Sequence, residues 1–496
     1  MTISTTNTHR FYSLWRNRYI RDCIRNNVCR DILIDATIEY LNNNHRYLSL
    51  FAYNDKVEYN IIIQFRIKNR NDVIGYVNNK HRDLIDRISI DIGEDVAIDN
   101  DQQQQQAPRV IRYDCNLFHQ GLRSLSFYNQ HIVGSGKLPD SIRKLTIYNN
   151  HKLRNNINNP LVDMILAELP PKLELLYLPS GLNINVSTCR LPDTLNYFNF
   201  QGTHENLKPF IVPPNKVFDC TIDIKSDQDL QWLAQHTWVI KAMFETKYNA
   251  TRVLPSHLTS IRIHSIDGRL EKGILPSSLT SLYIFDYNEP LEVGVLPPGL
   301  QWLDLSDYDH PLEQGHLPDS LTELDLGCYN QPLKPFVLPN NLTTLAMDSF
   351  NQECFQANTL PRSLSYLQFW SFKGSFEHVS PLDNPVYNGH KPQLIVDSLH
   401  ESVAILLQNV TTIKIRTNQI SGNVYLKDTA IQNLDIHSVN RFSLYPGFLP
   451  SAVKKIIMKG VDIKMDNLIP QSCVYLKTDI VDLNTKLIPL TVQIVK

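Results

Sequence analysis

The stretch Ser320–Pro339, "SLTELDLGCYNQPLKPFVLP", spaces its leucines as L-x-x-L-x-L, breaks at "YNQPL" and closes on Leu338-Pro339. The last two apolar positions of the leucine phrase alternate with polar residues, the pattern of a short strand with one buried face. Asn and Pro then mark a turn, because Asn bonds nearby backbone groups and Pro presets φ. The residue before a proline is pushed out of the helical region, so Leu338-Pro339 opens extended backbone. Nothing in the stretch is long enough, or free enough of proline, for a proper helix.

The same phrase recurs on both sides. With the Leu of each Leu-Pro pair as a mark, strong marks fall at Leu254, Leu275, Leu296, Leu317, Leu338 and Leu360, a step of 21 residues with a single step of 22. Earlier marks are Leu138, Leu169, Leu191 and Val212, and later ones are Leu449 and Ile469. The gap from Val212 to Leu254 is two steps, and Leu233 holds the phase at its midpoint. Apolar residues stand four, seven and nine places after each mark, as in Leu300, Leu303, Leu305 and Leu321, Leu324, Leu326. The pattern reaches back to Leu122, Leu125, Phe127 and forward through Ile431, Leu434, Ile436, weakening at Val453, Ile456, Met458.

One such unit buries too few side chains to offset the conformational entropy of ordering it. Stacked units close that gap by pairing strands and sharing a core. The expected fold is therefore a repeat solenoid, leucine-rich-repeat-like, with one short parallel β-strand per coil of about 21 residues. Little helix is expected beyond an N-terminal helical cap. The expected organisation is a cap and irregular region over 1–114, a repeat array over 115–480 that loses its phase at about 371–405, and a C-terminal cap over 481–496.

The phrase L-P-x-S-L-x-x-L-x-L, then aromatic-N-x-P-L, then G-x-L-P resembles the FNIP repeat of amoebal proteins, a relative of leucine-rich repeats. "SSLTSLYIFDYNEPLEVGVLP", residues 277–297, fits it almost throughout. The resemblance spans about Cys115 to Ile480; Tyr287, Tyr308 and Tyr329 stand where the family often has Phe. It implies a scaffold and carries over no catalytic residue.

Composition narrows the function classes. The 496 residues are 42% hydrophobic and 20% charged, with a net charge of -2, so no global basic field holds a phosphate backbone and general nucleic-acid binding is disfavoured. The eight cysteines are scattered without a C-x-x-C pair, which favours reduced, mostly buried thiols over a zinc site or disulfide framework. The apolar runs are too short to span a bilayer, and "MTISTTNTHRFYSLWRNRY" lacks a signal peptide's apolar stretch, so cytoplasmic or nuclear residence is expected. "GSGK", Gly134–Lys137, lacks the spacing of a phosphate loop and falls at a G-x-L-P turn. No catalytic motif is found; catalytic, cofactor and metal residues are all expected to be none.

Outside the array, "FYSLWRNRYIRDCIRNNV" puts Phe11, Leu14, Trp15, Tyr19, Cys23 and Ile24 on one helical face, suited to covering the first coil. "HRYLSLFAYND" suggests a decayed strand-and-turn unit, and Gln102–Gln106 a polar insert.

Strand side chains alternate between core and outer face, so positions six, eight and ten after each mark are expected to be exposed. They read Ser281, Tyr283, Phe285; Trp302, Asp304, Ser306; Glu323, Asp325, Gly327; Thr344, Ala346, Asp348; and Tyr366, Gln368, Trp370. An acidic patch flanked by aromatics is expected, with Arg262 and Lys414 further out. Core packing does not explain these residues, and exposed Trp and Tyr beside charge are characteristic of binding hot spots. The leading expectation is a non-catalytic protein–protein interaction scaffold whose partner is a protein or peptide, with a basic one suited to the acidic patch. The alternative is a substrate-recognition subunit of a ubiquitin ligase. Some repeat proteins of this type carry an F-box, and "SLWRNRYIRDCI" would be the tail of a degenerate one.

Overall fold

The computed structural model describes residues 17–91, 111–128, 132–148, 160–250, 252–383, 391–420 and 423–495. Phe11, Leu14, Trp15 and the Gln102–Gln106 run lie outside the described residues. The chain is a parallel-strand β-solenoid with about 21 residues per coil and little helix. It divides into two compact units, one built mainly from residues 1–223 and one mainly from residues 241–496.

In the first unit, seven strands among the described residues form one parallel sheet: β1 (Leu33–Ala36), β2 (Ile62–Ile67), β3 (Arg87–Ile90), β4 (Ser124–Tyr128), β5 (Lys144–Tyr148), β6 (Leu175–Tyr177) and β7 (Tyr197–Asn199). Its early coils return through helices: α1 (Arg18–Val28) precedes β1, α2 (Ile38–Leu48) and α3 (Tyr53–Glu58) precede β2, and α4 (Arg70–Asn78) precedes β3. Asn17 and Thr37 side chains cap α1 and α2 by accepting from the amides of Ile20 and Tyr40. The "HRYLSLFAYND" segment is thus not a strand-and-turn unit: it closes α2 and opens α3. Leu41 and Leu48, seven residues apart, both lie on the buried side of α2, a helical period that overrides the short Leu-Ser-Leu alternation. On α1, Tyr19 and Ile24 are exposed and Cys23 is half-buried.

In the second unit, thirteen strands among the described residues follow one another in parallel: β8 (Val239–Phe244), β9 (Ser260–Asp267), β10 (Ser281–Asp286), β11 (Trp302–Asp304), β12 (Glu323–Asp325), β13 (Thr344–Ala346), β14 (Tyr366–Phe369), β15 (Gln393–Val396), β16 (Thr412–Arg416), β17 (Asn433–Ser443), β18 (Lys455–Asp462), β19 (Tyr475–Thr478) and β20 (Gln493–Val495). The leucines four, seven and nine places after each mark are the core; Leu321, Leu324 and Leu326 are all buried. Val453, Ile456 and Met458, where the pattern weakens, are buried as well.

Several recurring letters of the repeat phrase are accounted for by contacts between coils. The serine of L-P-x-S-L donates to a carbonyl of the preceding coil: Ser278, Ser320 and Ser363 reach Leu258, Leu300 and Leu342, each at 2.6 Å. The Asn or Asp of the turn bonds the next coil rather than its own. Asn288, Asp309 and Asn330 accept from the amides of Asp309, Asn330 and Asn351 at 2.9, 2.8 and 2.9 Å. The aromatic before it stacks inside, with Tyr308, Tyr329 and Phe350 centroids 6.5 and 6.4 Å apart and nearly coplanar in orientation. Tyrosine in place of phenylalanine adds a hydroxyl that accepts from the preceding coil, as Tyr287 does from the Leu270 amide at 3.3 Å. The glycine of G-x-L-P holds a left-handed backbone, φ +90° at Gly273, +81° at Gly294 and +88° at Gly315. Phe336 occupies that same position at φ +61°.

Two departures from the repeat have physical causes. At the Leu233 mark the chain forms a helix, Asp227–Gln235, instead of a Leu-Pro turn. The following strand slips by two residues, so Ala242, nine places after the mark, pairs with Ile261, seven places after its own. Over 371–405 the phase is lost because the coil is longer: Tyr366 pairs with Gln393, 27 residues on. The 21-residue step returns where Gln393 pairs with Lys414.

Among the described residues, no helix is long and apolar enough to cross a membrane.

Candidate functional site

The outer face of the second unit's sheet carries side chains in files running across the strands. One file reads Arg262, Tyr283, Asp304, Asp325, Ala346, Gln368, with each residue register-paired to the next. The adjoining file reads Ser281, Trp302, Glu323, Thr344, Tyr366. The files exist because the repeat length equals one coil, so residues 21 apart in sequence stand side by side at the strand spacing of about 4.8 Å.

Asp304 and Asp325 are direct neighbours across β11 and β12. Ser306 Oγ donates to Asp304 at 2.7 Å, and Gln368 Nε2 donates to Asp348 at 2.8 Å. Asp325 is half-buried, and its carboxylate has no hydrogen bond or ion pair among the described residues. Burial, then the like charges of Asp304 and Asp348, push its pKa up to about 6. An uncompensated carboxylate stack is costly for the isolated protein and favours any ligand that supplies positive charge.

Aromatic rings bound the carboxylates on both sides. Tyr283 and Trp302 pack at 5.6 Å between centroids, and Trp302 is 40% exposed. On the far side Tyr366 donates its hydroxyl to Gln368 Oε1 at 2.6 Å. Burial raises the Tyr283 and Tyr366 pKa values, so both hydroxyls stay protonated well above neutral pH. Phe285 and Trp370 are exposed at the strand ends, where Phe285 meets the His264 ring at 6.3 Å.

The structure therefore brings Tyr283, Trp302, Asp304, Glu323, Asp325, Asp348 and Tyr366 onto one surface and leaves Phe285 and Trp370 at its margin. Arg262 is closer than its sequence position suggests: its guanidinium lies 5.0 Å over the Tyr283 ring. Gln368, an outer-face position by the same count, ties Tyr366 to Asp348 through both ends of its amide, a bridge that the count does not show.

The family model of the FNIP repeat matches residues 267–308, 287–329 and 329–372. The chain carries FNIP repeats across residues 267–372. The matched FNIP segment contains every carboxylate and aromatic named above. Among solved structures, the chain is similar to CroV588, described as a novel circular LRR protein, at 17% identity and a TM-score of 0.40, over 94% of this chain and 69% of that one. It is also similar to YopM from Yersinia enterocolitica WA-314, at 16% identity and a TM-score of 0.30, over 73% of this chain and 87% of that one. No curated protein gives a significant match.

Within the first unit, the "GSGK" lysine is occupied: Lys137 Nζ lies 2.8 Å from Glu168 and 3.4 Å from Asp140.

Proposed function

We propose that the chain is a non-catalytic protein-interaction scaffold that binds a partner through the outer face of its FNIP-repeat sheet. The observation that carries this reading is Asp325, held half-buried between Asp304 and Asp348 with no cation against it. A folded protein keeps such an arrangement at a cost to stability, and a basic ligand removes the cost on binding. Trp302, Tyr283 and Tyr366 supply apolar area beside the charge, as hot spots do. The partner that fits is a protein segment presenting Lys or Arg with apolar neighbours.

The test is binding of synthetic peptides that alternate Lys or Arg with Leu, against peptides of the same composition with Glu in place of the basic residues. The basic set binds the wild-type chain, and the folded variant Trp302→Ala, Asp304→Asn, Asp325→Asn, Trp370→Ala loses it. Equal binding by that variant removes the face as the site.

A second reading rests on α1, whose Tyr19, Ile24 and Val28 are exposed. An apolar surface there suits an adaptor of a ubiquitin ligase, with the sheet face recruiting substrate. Failure of that adaptor to bind the full chain removes this reading and leaves the scaffold intact.

A further inference from the structure

A cleft of about 500 Å³ opens in the first unit between α3 and the backbone corners that lead into β3 to β6. Asp86, Arg123, Arg143 and Glu174 occupy the same place in four successive coils. Arg123 N–H donates to Asp86 O at 2.9 Å, Arg143 N–H to Arg123 O at 2.8 Å, and Glu174 N–H to Arg143 O at 2.7 Å. Their side chains form a file along one wall, ordered acid, base, base, acid.

The far pair is closed on itself. Glu174 holds Arg143, whose Nε also donates to Tyr53 Oη at 3.1 Å. The near group is not balanced. Asp86 takes Lys56 Nζ at 3.1 Å and Arg123 at 3.0 Å, and it also accepts from the Ile63 amide at 3.1 Å. Two cations thus share one carboxylate, with side-chain exposures of only 7% for Lys56, 8% for Asp86 and 13% for Arg123.

One positive charge remains, largely withdrawn from water. Arg123 Nε is buried and makes no hydrogen bond within the protein. Buried donors nearly always find an acceptor, so the guanidinium that lines the cleft carries a donor the protein leaves unmatched. Burial lowers the Lys56 pKa, against the opposing pull of Asp86. At the rim, Arg87 and Lys144 flank Ser124 in one outward file across β3, β4 and β5. Counted over the described lining, five basic side chains face three carboxylates. Part of the lining is apolar, with the Tyr53 ring 5.6 Å from the Arg123 guanidinium and with Val57 and Ile62.

We propose that this cleft binds a metabolite-sized oxyanion, a phosphate monoester or carboxylate on an apolar body, with the anion at Arg123 and the body against Tyr53 and Val57. The volume suits a small ligand rather than a peptide, and the site combines a few convergent polar groups with an apolar wall. Arg123, whose Nη2 meets Asp86 at 3.0 Å and the Ile61 carbonyl at 3.4 Å, brings a delocalised guanidinium charge to the anion end, while Lys56 adds a compact ammonium.

The experiment is calorimetric titration of the full chain, at fixed ionic strength, with phenyl phosphate, benzoate and phenol as probes. Phenyl phosphate or benzoate binds saturably and at least about tenfold more tightly than phenol. Preference between the two anions tells a phosphate site from a carboxylate site. Arg123→Lys keeps the charge but loses the guanidinium's planar set of donors, and weakens the bound anion about tenfold. Tyr53→Ala, at an exposed residue, lowers phenyl phosphate affinity to that of inorganic phosphate. Lys144→Glu, at the rim, weakens every anion and keeps the proposal testable if Arg123→Lys fails to fold. The proposal is overturned if neither anion binds the wild-type chain, if phenol binds as well as the anions, or if Tyr53→Ala and Lys144→Glu leave affinity unchanged.

Discussion

Asp325→Asn separates the cost of the acidic stack from its use. In the folded chain the Asp325 pKa is raised from 3.8 to about 6. A group with a raised folded pKa binds its proton more tightly in the folded state. Its contribution to stability is therefore fully present below about pH 4 and is lost as pH rises through about 6. A shift of about two units corresponds to a ceiling of about 3 kcal/mol, and partial exposure of the carboxylate reduces that to about 1–2 kcal/mol. Asparagine keeps the shape and carries no charge at any pH. The variant is expected to match the wild type at pH 4 and to exceed it by about 1–2 kcal/mol at pH 7.5. Because solenoids open locally, the assay is hydrogen exchange at the amides of β11 to β13 together with urea unfolding at both pH values. A gain of equal size at pH 4, or none at pH 7.5, would refute the reasoning, since either would separate the effect from ionisation. The same variant weakens binding of basic peptides, so stability and function move in opposite directions.

Two further outcomes test the coil itself. Leu324→Ala removes a fully buried side chain from the core file and is expected to cost about 3–5 kcal/mol in urea unfolding of the second unit. Phe336→Gly relieves a left-handed backbone at an exposed ring and is expected to stabilise by about 0.5–1 kcal/mol, read as a rise in unfolding midpoint; a loss would mean the ring packs usefully.

The second unit was legible because its coils are nearly equal in length. Leu254 to Leu360 keep one phase, so counting from a mark places Leu303 inside and Asp304 outside without coordinates. The same constancy puts Asp304 beside Asp325, since equal coil length is strand register. Where length varies, that arithmetic fails. Leu233 sits in a helix that replaces the turn, and the strand after it is displaced by two residues. The strands β1 to β3 escaped notice because their coils return through helices and carry no Leu-Pro mark. For the same reason the Lys56, Asp86 and Arg123 cluster was invisible: its members are separated by 30 and 37 residues, spacings set by irregular coils. Gln368 was placed on the face by counting, but its bridge from Tyr366 to Asp348 depends on side-chain geometry that no periodicity encodes.

Zero-length carbodiimide cross-linking in native cells, followed by mass spectrometry, joins partner lysines to carboxylates in direct contact and reports where a partner sits. Cross-links are expected at Asp304, Glu323, Asp325 and Asp348, and they disappear with partner recovery in the folded Trp302→Ala, Asp304→Asn, Asp325→Asn, Trp370→Ala variant. Partners recovered undiminished with that variant, and cross-linked elsewhere on the chain, would contradict binding through the sheet face.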